Sequence, residues 1–193
     1  MPSRDAASAR LLEMRPYRWT GDEASPVLRA GIERTGERLR LRYVLGGPIG
    51  LRIPPAAGAP ARLDRLWEHT CFEAFFAPAG SPAYWEMNLS PSGDWNAYRF
   101  DDYRAGMRPE SRAGAPGIDV ERASCGTLTV RATVDLARIR ELTSAALDVS
   151  LAAVLEANDG TFSYWALDHG AAAHPDFHRR ESFVLRLDGD ESA

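Results

Sequence analysis

The chain has 193 residues, of which 45% are hydrophobic and 26% are charged, and these proportions are typical of one globular domain. Its formal net charge of −4 argues against a general attraction to nucleic acid or to anionic membranes. All 23 of its lysine-or-arginine positions are arginine, so the chain has no lysine for Schiff-base catalysis or for a P-loop.

The termini show no pattern typical of a targeting signal. The first residues include arginines but lack the apolar core of roughly 7–15 residues that a secretory signal needs. No apolar run approaches the length of about 18 residues that is typical of a membrane-spanning helix. We therefore expect a cytoplasmic protein, with a flexible N-terminus over residues 1–16, a single domain over residues 17–188 and a flexible tail over residues 189–193.

Strand periodicity dominates the first half of the chain. The predicted strands there cover residues 27–34, 37–45, 66–76, 84–90 and 95–100. Thr35-Gly36 is the expected turn between the first two strands, and Pro91-Ser92-Gly93 lies in the turn between the last two. A connecting loop rich in proline, glycine and alanine is predicted over residues 46–65.

The second half begins with another long predicted loop over residues 101–119. Its predicted strands cover residues 125–135, 146–157, 161–167 and 182–188. One short helical turn is expected within residues 135–142, and a loop over residues 168–180 precedes the last strand. At least eight strands joined by glycine and proline turns predict an all-β fold, an antiparallel β-sandwich of jelly-roll type.

Side chains alternate across a strand, so each predicted strand can be divided into two faces. If the strands at 66–76, 84–90 and 95–100 are neighbours, one face combines aromatic rings with carboxylates, an amide, a histidine and an arginine. Its expected members are Trp67, His69, Glu73, Glu86, Asn88, Trp95 and Arg99. Aromatic rings stack on the apolar faces of sugars, whereas carboxylates and amides bond hydroxyl groups in fixed directions. The pattern therefore predicts a ligand-binding surface.

Two other interpretations use the same residues. Arg99 could bridge Glu73 and Glu86 beneath covering loops, as a buried ion network that holds no ligand. Glu73 and Glu86 could also stand as the paired carboxylates of a glycoside hydrolase. An adjacent Arg99 would lower the pKa of both carboxylates, which favours binding over general-acid catalysis, so no catalytic residue is predicted.

The four histidines raise the question of a metal or a haem. His169 and His178 lie in the 168–180 loop, which is predicted to form a rim or lid of the site. The chain has no pair of histidines at helical spacing on a predicted helix and no CxxC pair, so no zinc site is predicted. Met87 is expected on the core side of its strand rather than beside a haem. No cofactor is therefore expected, and a haem or a divalent metal is the alternative.

Three segments carry a resemblance to a known family. Residues 66–76 (LWEHTCFEAFF), 84–100 (YWEMNLSPSGDWNAYRF) and 164–187 (YWALDHGAAAHPDFHRRESFVLRL) together resemble the bacterial DOMON-like domain proteins. These are distant relatives of the family 9 carbohydrate-binding modules. The resemblance covers the chain from about Tyr17 to Leu187. It implies a jelly-roll sandwich that binds a sugar or, in other branches of the family, a haem.

The motif pattern of that family can be carried over to several positions of this chain. These are Trp67, His69, Glu73, Glu86, Asn88, the turn at residues 90–93 and the loop at residues 175–178. The resulting hypothesis is a non-catalytic β-sandwich that binds a carbohydrate or a sugar-containing metabolite on one sheet face. The alternatives are a structural or protein-interaction domain and a metal-dependent enzyme. The sequence indicates no oligomeric state.

Overall fold

The computed structural model describes residues 10–18, 26–47, 50–53, 55, 58–124 and 126–189. Cys125 and the outermost residues of both termini lie outside these ranges. The regular secondary structure of the described residues is almost entirely β-strand. Its helices are short turns, and none of them has the length or apolar character needed to cross a membrane.

The strands are numbered in chain order. They are β1 (Leu12–Glu13), β2 (Arg15–Pro16), β3 (Val27–Thr35), β4 (Arg38–Gly46), β5 (Cys71–Pro78), β6 (Tyr84–Leu89), β7 (Trp95–Phe100), β8 (Arg108–Pro109), β9 (Gly117–Arg122), β10 (Leu128–Asp135), β11 (Leu147–Glu156), β12 (Phe162–Ala166) and β13 (Leu185–Leu187). One helix, α1 (Arg140–Thr143), and 3-10 turns at Leu66–Glu68 and Arg180–Ser182 complete the described elements.

The strands form two sheets that pack face to face. The first sheet has the order β1-β3-β4-β10-β9, and the second has the order β2-β12-β11-β5-β6-β7-β8, with β13 paired to β11. The pairs between these strands are antiparallel. The predicted antiparallel β-sandwich is therefore confirmed.

The core between the sheets follows from simple alternation in the first sheet. Along β4, Leu39, Leu41, Tyr43 and Leu45 are each at most 2% exposed, while the arginines between them point outward. The partner strand β3 is joined to β4 by a tight turn in which Gly36 adopts a positive φ of 58°. This hairpin agrees with its prediction from the sequence.

The second sheet differs because both of its faces are buried. All six residues of β6 and seven of the eight residues of β5 are buried. On the outer face, away from the first sheet, Phe75, Tyr84, Phe100 and Phe177 belong to a second apolar cluster. Loops cover this face, which is why β5 shows a nearly continuous apolar run instead of strict alternation.

The register of the β6–β7 hairpin is set by a three-residue connection. The backbone N–H of Ser90 donates to the carbonyl of Asp94 at 2.8 Å, and Gly93 adopts a φ of 96°. Such a connection commonly carries glycine in the left-handed region at its last position. Because three residues separate the paired positions, even-numbered residues of β6 lie opposite even-numbered residues of β7.

Several elements differ from their predictions. Residues 66–68 form a 3-10 turn, and β5 begins only at Cys71, because Arg65 with its φ of 61° turns the chain out of an extended path. β9 lies partly within the segment expected to be a loop. Residues 12–16 contribute β1 and β2, one strand to each sheet, although they were expected to belong to a flexible terminus.

One hydrogen bond connects the first sheet to the strand that carries Glu73. The Tyr43 hydroxyl donates to the backbone carbonyl of Glu73 at 2.7 Å, and Tyr43 is fully buried. We expect Tyr43→Phe to lower the free energy of unfolding in urea by about 1 kcal/mol, because a buried hydrogen bond is lost without a change in packing. Tyr17→Phe removes a part-buried bond to the Ala172 carbonyl and serves as the control with a smaller loss. Equal losses in the two variants would contradict the buried position of the Tyr43 bond.

Candidate functional site

A cavity of about 600 Å³ opens on the outer face of the second sheet. We call it the outer-face cavity. Strands β5, β6, β7, β11 and β12 contribute its sheet-borne lining, and three loop segments contribute the rest. The lining residues are Trp67, Glu68, Glu73, Glu86, Phe100, Arg104, Met107, Val154, Phe162, Tyr164, Pro175, Phe177 and His178.

Glu73 and Glu86 place two buried carboxylates at the sheet surface of the cavity. Glu73 is 3% exposed and Glu86 is 4% exposed. Glu73 on β5 lies opposite Asn88 on β6, so the two glutamates are diagonal neighbours on adjacent strands. Asn88 Nδ2 donates to Glu86 Oε1 at 2.8 Å. Within the described residues, no side chain donates a hydrogen bond to the carboxylate of Glu73.

Burial has the largest effect on the pKa of both Glu73 and Glu86. It raises the pKa of Glu73 well above the usual range, and the neighbouring Glu86 raises it further. Burial also raises the pKa of Glu86 to about 7, although the Asn88 hydrogen bond and the Arg104 charge oppose this shift. The expectation that Arg99 lowers the pKa of both carboxylates is therefore wrong.

Arg99 lies on the opposite face of the sheet from Glu73 and Glu86. Arg99 is opposite Trp85 in the hairpin register, with its guanidinium 5.2 Å from the indole ring, and it forms an ion pair with Glu141 at 3.2 Å. Trp95 is opposite Leu89 and belongs to the core between the sheets. The prediction that Trp95 and Arg99 share a face with Glu86 is overturned, because the three-residue turn pairs even positions with even positions.

Asn96 and Tyr98 take the places that were expected for Trp95 and Arg99. Tyr98 lies opposite Glu86, and Asn96 lies opposite Asn88. Asn96 Nδ2 donates to the Tyr98 hydroxyl at 2.7 Å, and this hydroxyl donates to Asp64. The polar outer face therefore continues across β7 through residues that were expected to lie in the core.

A network of hydrogen bonds holds the loop that covers the cavity. Asp176 accepts from Arg104 Nη2 at 2.8 Å and from the Tyr103 hydroxyl at 2.5 Å. Burial works against the ionised form of Asp176, but the hydrogen bonds from Tyr103 and Arg104 outweigh it and lower the pKa. Arg104 has a φ of 51°, which is uncommon for a residue other than glycine and is found repeatedly at functional sites.

Tyr84 connects this loop to His178. The Tyr84 hydroxyl accepts from the backbone N–H of Arg104 at 3.2 Å and lies 2.8 Å from Nδ1 of His178. Burial lowers the pKa of His178 to about 4, and Arg104 acts in the same direction. Burial raises the pKa of Tyr84 to about 12. At neutral pH, the imidazole of His178 is therefore uncharged and the Tyr84 hydroxyl keeps its proton.

Aromatic and aliphatic side chains form the remaining walls. Trp67 packs edge-on against Tyr98 with 5.4 Å between the ring centroids, and Tyr164 lies 6.4 Å from Phe177 in the same measure. Phe162 and Met107 are 43% and 46% exposed, and both belong to the lining of the cavity. An apolar wall above a few convergent polar groups is the usual composition of a small-molecule site.

The other two predicted histidines lie away from the cavity. His69 Nδ1 pairs with Glu156 Oε2 at 2.8 Å, and its side chain is 55% exposed. His169 Nε2 lies 2.8 Å from the Arg15 carbonyl, and its ring contacts Tyr17. Neither histidine belongs to the lining, because His69 is held at the end of β11 and His169 beside the edge strand β2. Nowhere in the described ranges do three His, Cys, Asp or Glu side chains come together in a group that could hold a metal ion.

Sequence reasoning brought four lining residues together and missed others. The four that line the cavity are Trp67, Glu73, Glu86 and His178. Asn88 does not line it but donates a hydrogen bond to Glu86. The missed lining residues with polar or aromatic groups are Glu68, Phe100, Arg104, Phe162, Tyr164 and Phe177. The Pro175–His178 motif already contained Phe177. Arg104 had no periodic signal, because it lies in a turn where only tertiary contacts determine its direction.

The sequence itself matches no protein-family model, and no curated protein is similar to it. Solved structures with the same fold are found by comparison of the coordinates. A Bacteroides uniformis protein, provisionally described as carbohydrate-binding, superposes with a TM-score of 0.67 and 14% identity, over 94% of this chain and 87% of that one.

Two further matches are family 9 carbohydrate-binding modules from Caldicellulosiruptor kristjanssonii. The complex with glucose has a TM-score of 0.56 and 10% identity, over 96% of this chain and 87% of the module. The complex with cellotriose has a TM-score of 0.56 and 11% identity, over 96% and 86%. At these identities the likeness shows the fold alone. Assignment to the DOMON-like proteins stays a prediction.

The raised pKa of Glu86 has a consequence for stability. The folded protein keeps a proton on this group up to about pH 7, whereas the unfolded chain loses it near the ordinary value of 4.5. The folded state therefore loses stability as the pH rises between these two values. We expect Glu86→Gln, which removes the ionisation, to become more stable than wild type by about 3 kcal/mol above pH 7 and to show no such gain at pH 4.

Glu110→Gln is the matched control with the opposite sign. Hydrogen bonds from Arg112, and also from Trp85, lower the pKa of Glu110 to about 2 against the effect of burial. This carboxylate stabilises the fold above pH 4.5, and the contribution is lost as the pH falls through about 2. Urea unfolding between pH 3 and 8 should show Glu110→Gln less stable than wild type at neutral pH. Parallel pH profiles for the two variants would contradict the assignment for Glu86.

Proposed function

We propose that this chain binds a carbohydrate, or a metabolite that carries a sugar, in the outer-face cavity. The observation that carries this proposal is the carboxylate of Glu73. It is buried at the sheet surface of the cavity, and the described protein supplies no hydrogen-bond donor to it. The carboxyl oxygens of Glu73 keep access to the cavity, so a ligand rich in hydroxyl groups can replace water as their hydrogen-bond partner.

The walls of the cavity support the same class of ligand. Sugars combine hydroxyl edges with apolar C–H faces, and aromatic rings pack against such faces. Trp67, Tyr164 and Phe177 provide rings around the two carboxylates. His178 adds a neutral imidazole, and Asn88 holds Glu86 in place. The fold is shared with modules whose solved structures contain glucose and cellotriose, which supports a carbohydrate at the level of ligand class.

In this proposal, the loop at residues 169–178 forms the rim of the outer-face cavity. Pro175, Phe177 and His178 line the cavity, and Asp176 fastens them to the loop that carries Arg104. His69, His169, Trp95 and Arg99 have no contact role with the ligand, because they lie outside the cavity lining. Binding without turnover is the proposed activity.

Glu73→Met tests the proposal, because methionine has nearly the same volume and lacks the carboxylate acceptors. Removing a buried carboxyl group that has no hydrogen-bond donor should leave the melting temperature unchanged or raise it. Calorimetric titration with glucose, cellotriose and a panel of other mono- and oligosaccharides is expected to give saturable binding by wild type. Glu73→Met should weaken that binding by about tenfold or more, the factor that corresponds to ~1.4 kcal/mol.

Trp67→Ala and Glu33→Gln complete the design. Trp67→Ala removes a ring from the wall and should weaken the same saccharide. Glu33 pairs with Arg40 on the first sheet, so Glu33→Gln is the control and should bind like wild type. Binding by no saccharide of the panel would overturn the proposed function. Undiminished binding by Glu73→Met would move the site away from the outer-face cavity.

A further inference from the structure

The charges around the outer-face cavity do not balance. Its lining contains three carboxylates, from Glu68, Glu73 and Glu86, and one guanidinium, from Arg104. His178 is neutral at pH 7, because burial lowers its pKa to about 4. The lining therefore contains more carboxyl groups than cationic groups, and the raised pKa values of Glu73 and Glu86 mean that the pair favours protons while no cation is bound.

Contacts within the protein match the charges of Arg104 and Glu68 but not those of Glu73 and Glu86. Arg104 donates to Asp176 through both Nη2 at 2.8 Å and Nε at 3.2 Å, so its charge is already matched. Glu68 is paired with the exposed Arg65. In the part of the chain that the structure describes, neither Glu73 nor Glu86 takes part in an ion pair. Glu73 and Glu86 are therefore the two carboxyl groups of the lining that a bound cation would stabilise in the ionised form, in place of protons.

The free acceptors on this pair match the donors of an ammonium group. Asn88 occupies Oε1 of Glu86. Both oxygens of Glu73 and Oε2 of Glu86 have no donor among the described residues. These are three acceptors on two adjacent strands, and an ammonium group carries three N–H donors and one positive charge. A sugar hydroxyl offers one donor and no charge.

The aromatic walls favour a cation as well. Trp67, Phe100, Phe162, Tyr164 and Phe177 all line the cavity. Aromatic rings attract a nearby cation through their quadrupoles, and the attraction is largest where water is excluded. The positive charge of an ammonium at the glutamate pair would offset the burial and the mutual repulsion that raise the pKa of Glu73.

We propose that the saccharide bound in the outer-face cavity is an amino sugar whose ammonium group lies against the carboxylates of Glu73 and Glu86. The inference rests on the proposed function and specifies its ligand class. The ammonium balances the negative charge of the ionised carboxylates, and the sugar ring and its remaining hydroxyl groups contact the aromatic walls. A neutral N-acetylated sugar lacks the charge and two of the three donors, so it is rejected relative to the free amine.

The test compares D-glucosamine, D-glucose and N-acetyl-D-glucosamine, which differ only at one ring position. Calorimetric titration at pH 7, where the amine is mainly protonated, should give an affinity for glucosamine at least about tenfold above that for either neutral sugar, the factor expected for a buried charge-assisted contact. The same comparison is made with β-1,4-linked dimers of the three sugars. Raising the salt concentration should weaken the glucosamine compounds more than the neutral ones.

Charge-neutralising variants locate the effect. Glu73→Gln and Glu86→Gln retain the size of each side chain and remove its charge, so each should reduce the ratio of glucosamine affinity to glucose affinity toward one. Glu33→Gln removes a carboxylate from the far sheet and should retain the wild-type ratio. A melting curve for each variant confirms folding, and Glu86→Gln is expected to be at least as stable as wild type at this pH.

The outcomes separate this inference from the proposed function. Binding of glucose and glucosamine with equal affinity would overturn the amino-sugar inference and leave carbohydrate binding intact. A preference for glucosamine that both glutamine variants retain would also overturn the inference, because the charge would then lie elsewhere. Binding of none of the sugars or dimers would overturn both. A preference that disappears with Glu73→Gln and Glu86→Gln supports the inference.

Discussion

The three-residue connection between β6 and β7 determines which side chains meet the core and which meet the cavity. Within this connection, Ser92 Oγ donates to Asp94 Oδ2 at 2.8 Å and lies 2.7 Å from Ser90 Oγ, within hydrogen-bond distance. Asp94 Oδ1 also accepts from the backbone N–H of Ala61 at 2.9 Å, which ties the turn to the preceding loop. A slip by one residue would move every side chain of one strand to the opposite face, with Trp95 in the cavity and Tyr98 in the core.

The pairing of β5 with β6 places Glu73 and Glu86 on the same face of the second sheet, and loops cover this face. A sandwich can leave its outer face in water, where carboxylates cost nothing. Here the covering segments bury the outer face, so the glutamates have raised pKa values and one of them lacks a donor. The Asn88 hydrogen bond to Glu86 and the charge of Arg104 reduce the free-energy cost of ionising these buried groups but do not remove it. The proposed function gives this cost a reason, because it assigns both carboxyl groups to ligand binding.

The strands were more predictable from the sequence than the faces they present. Apolar alternation in β4 is a local signal, and it correctly located both the strand and its buried side chains. The assignment of Trp95 and Arg99 depended on the pairing of two strands, which the spacing of a turn controls. Pro91-Ser92-Gly93 contained that information, because a glycine at the third position is typical of a three-residue hairpin with paired residues of like parity.

The rest of the site could not be predicted, for physical reasons. Residues 66–70 have the composition of a strand, but the left-handed conformation of Arg65 ends any extended path before β5. Arg104 reaches the cavity from a turn, where no period relates its direction to that of its neighbours. Its role depends on Asp176, which is 72 residues away in sequence. Such contacts are decided by the tertiary fold and leave no local pattern.

The division of the cavity between sheet and loops has a consequence for how such a protein can diverge. The two glutamates stand on central strands that are held on both sides by hydrogen-bonded neighbours, so their position is rigid. Met107, Pro175 and Trp67 stand on connecting segments, which tolerate changes in length. Insertions or deletions there would alter the size and shape of ligand admitted while the acidic strands stay in place. If the proposed function holds, related chains could change the length of the ligand that they accept while the same two carboxyl groups bind it.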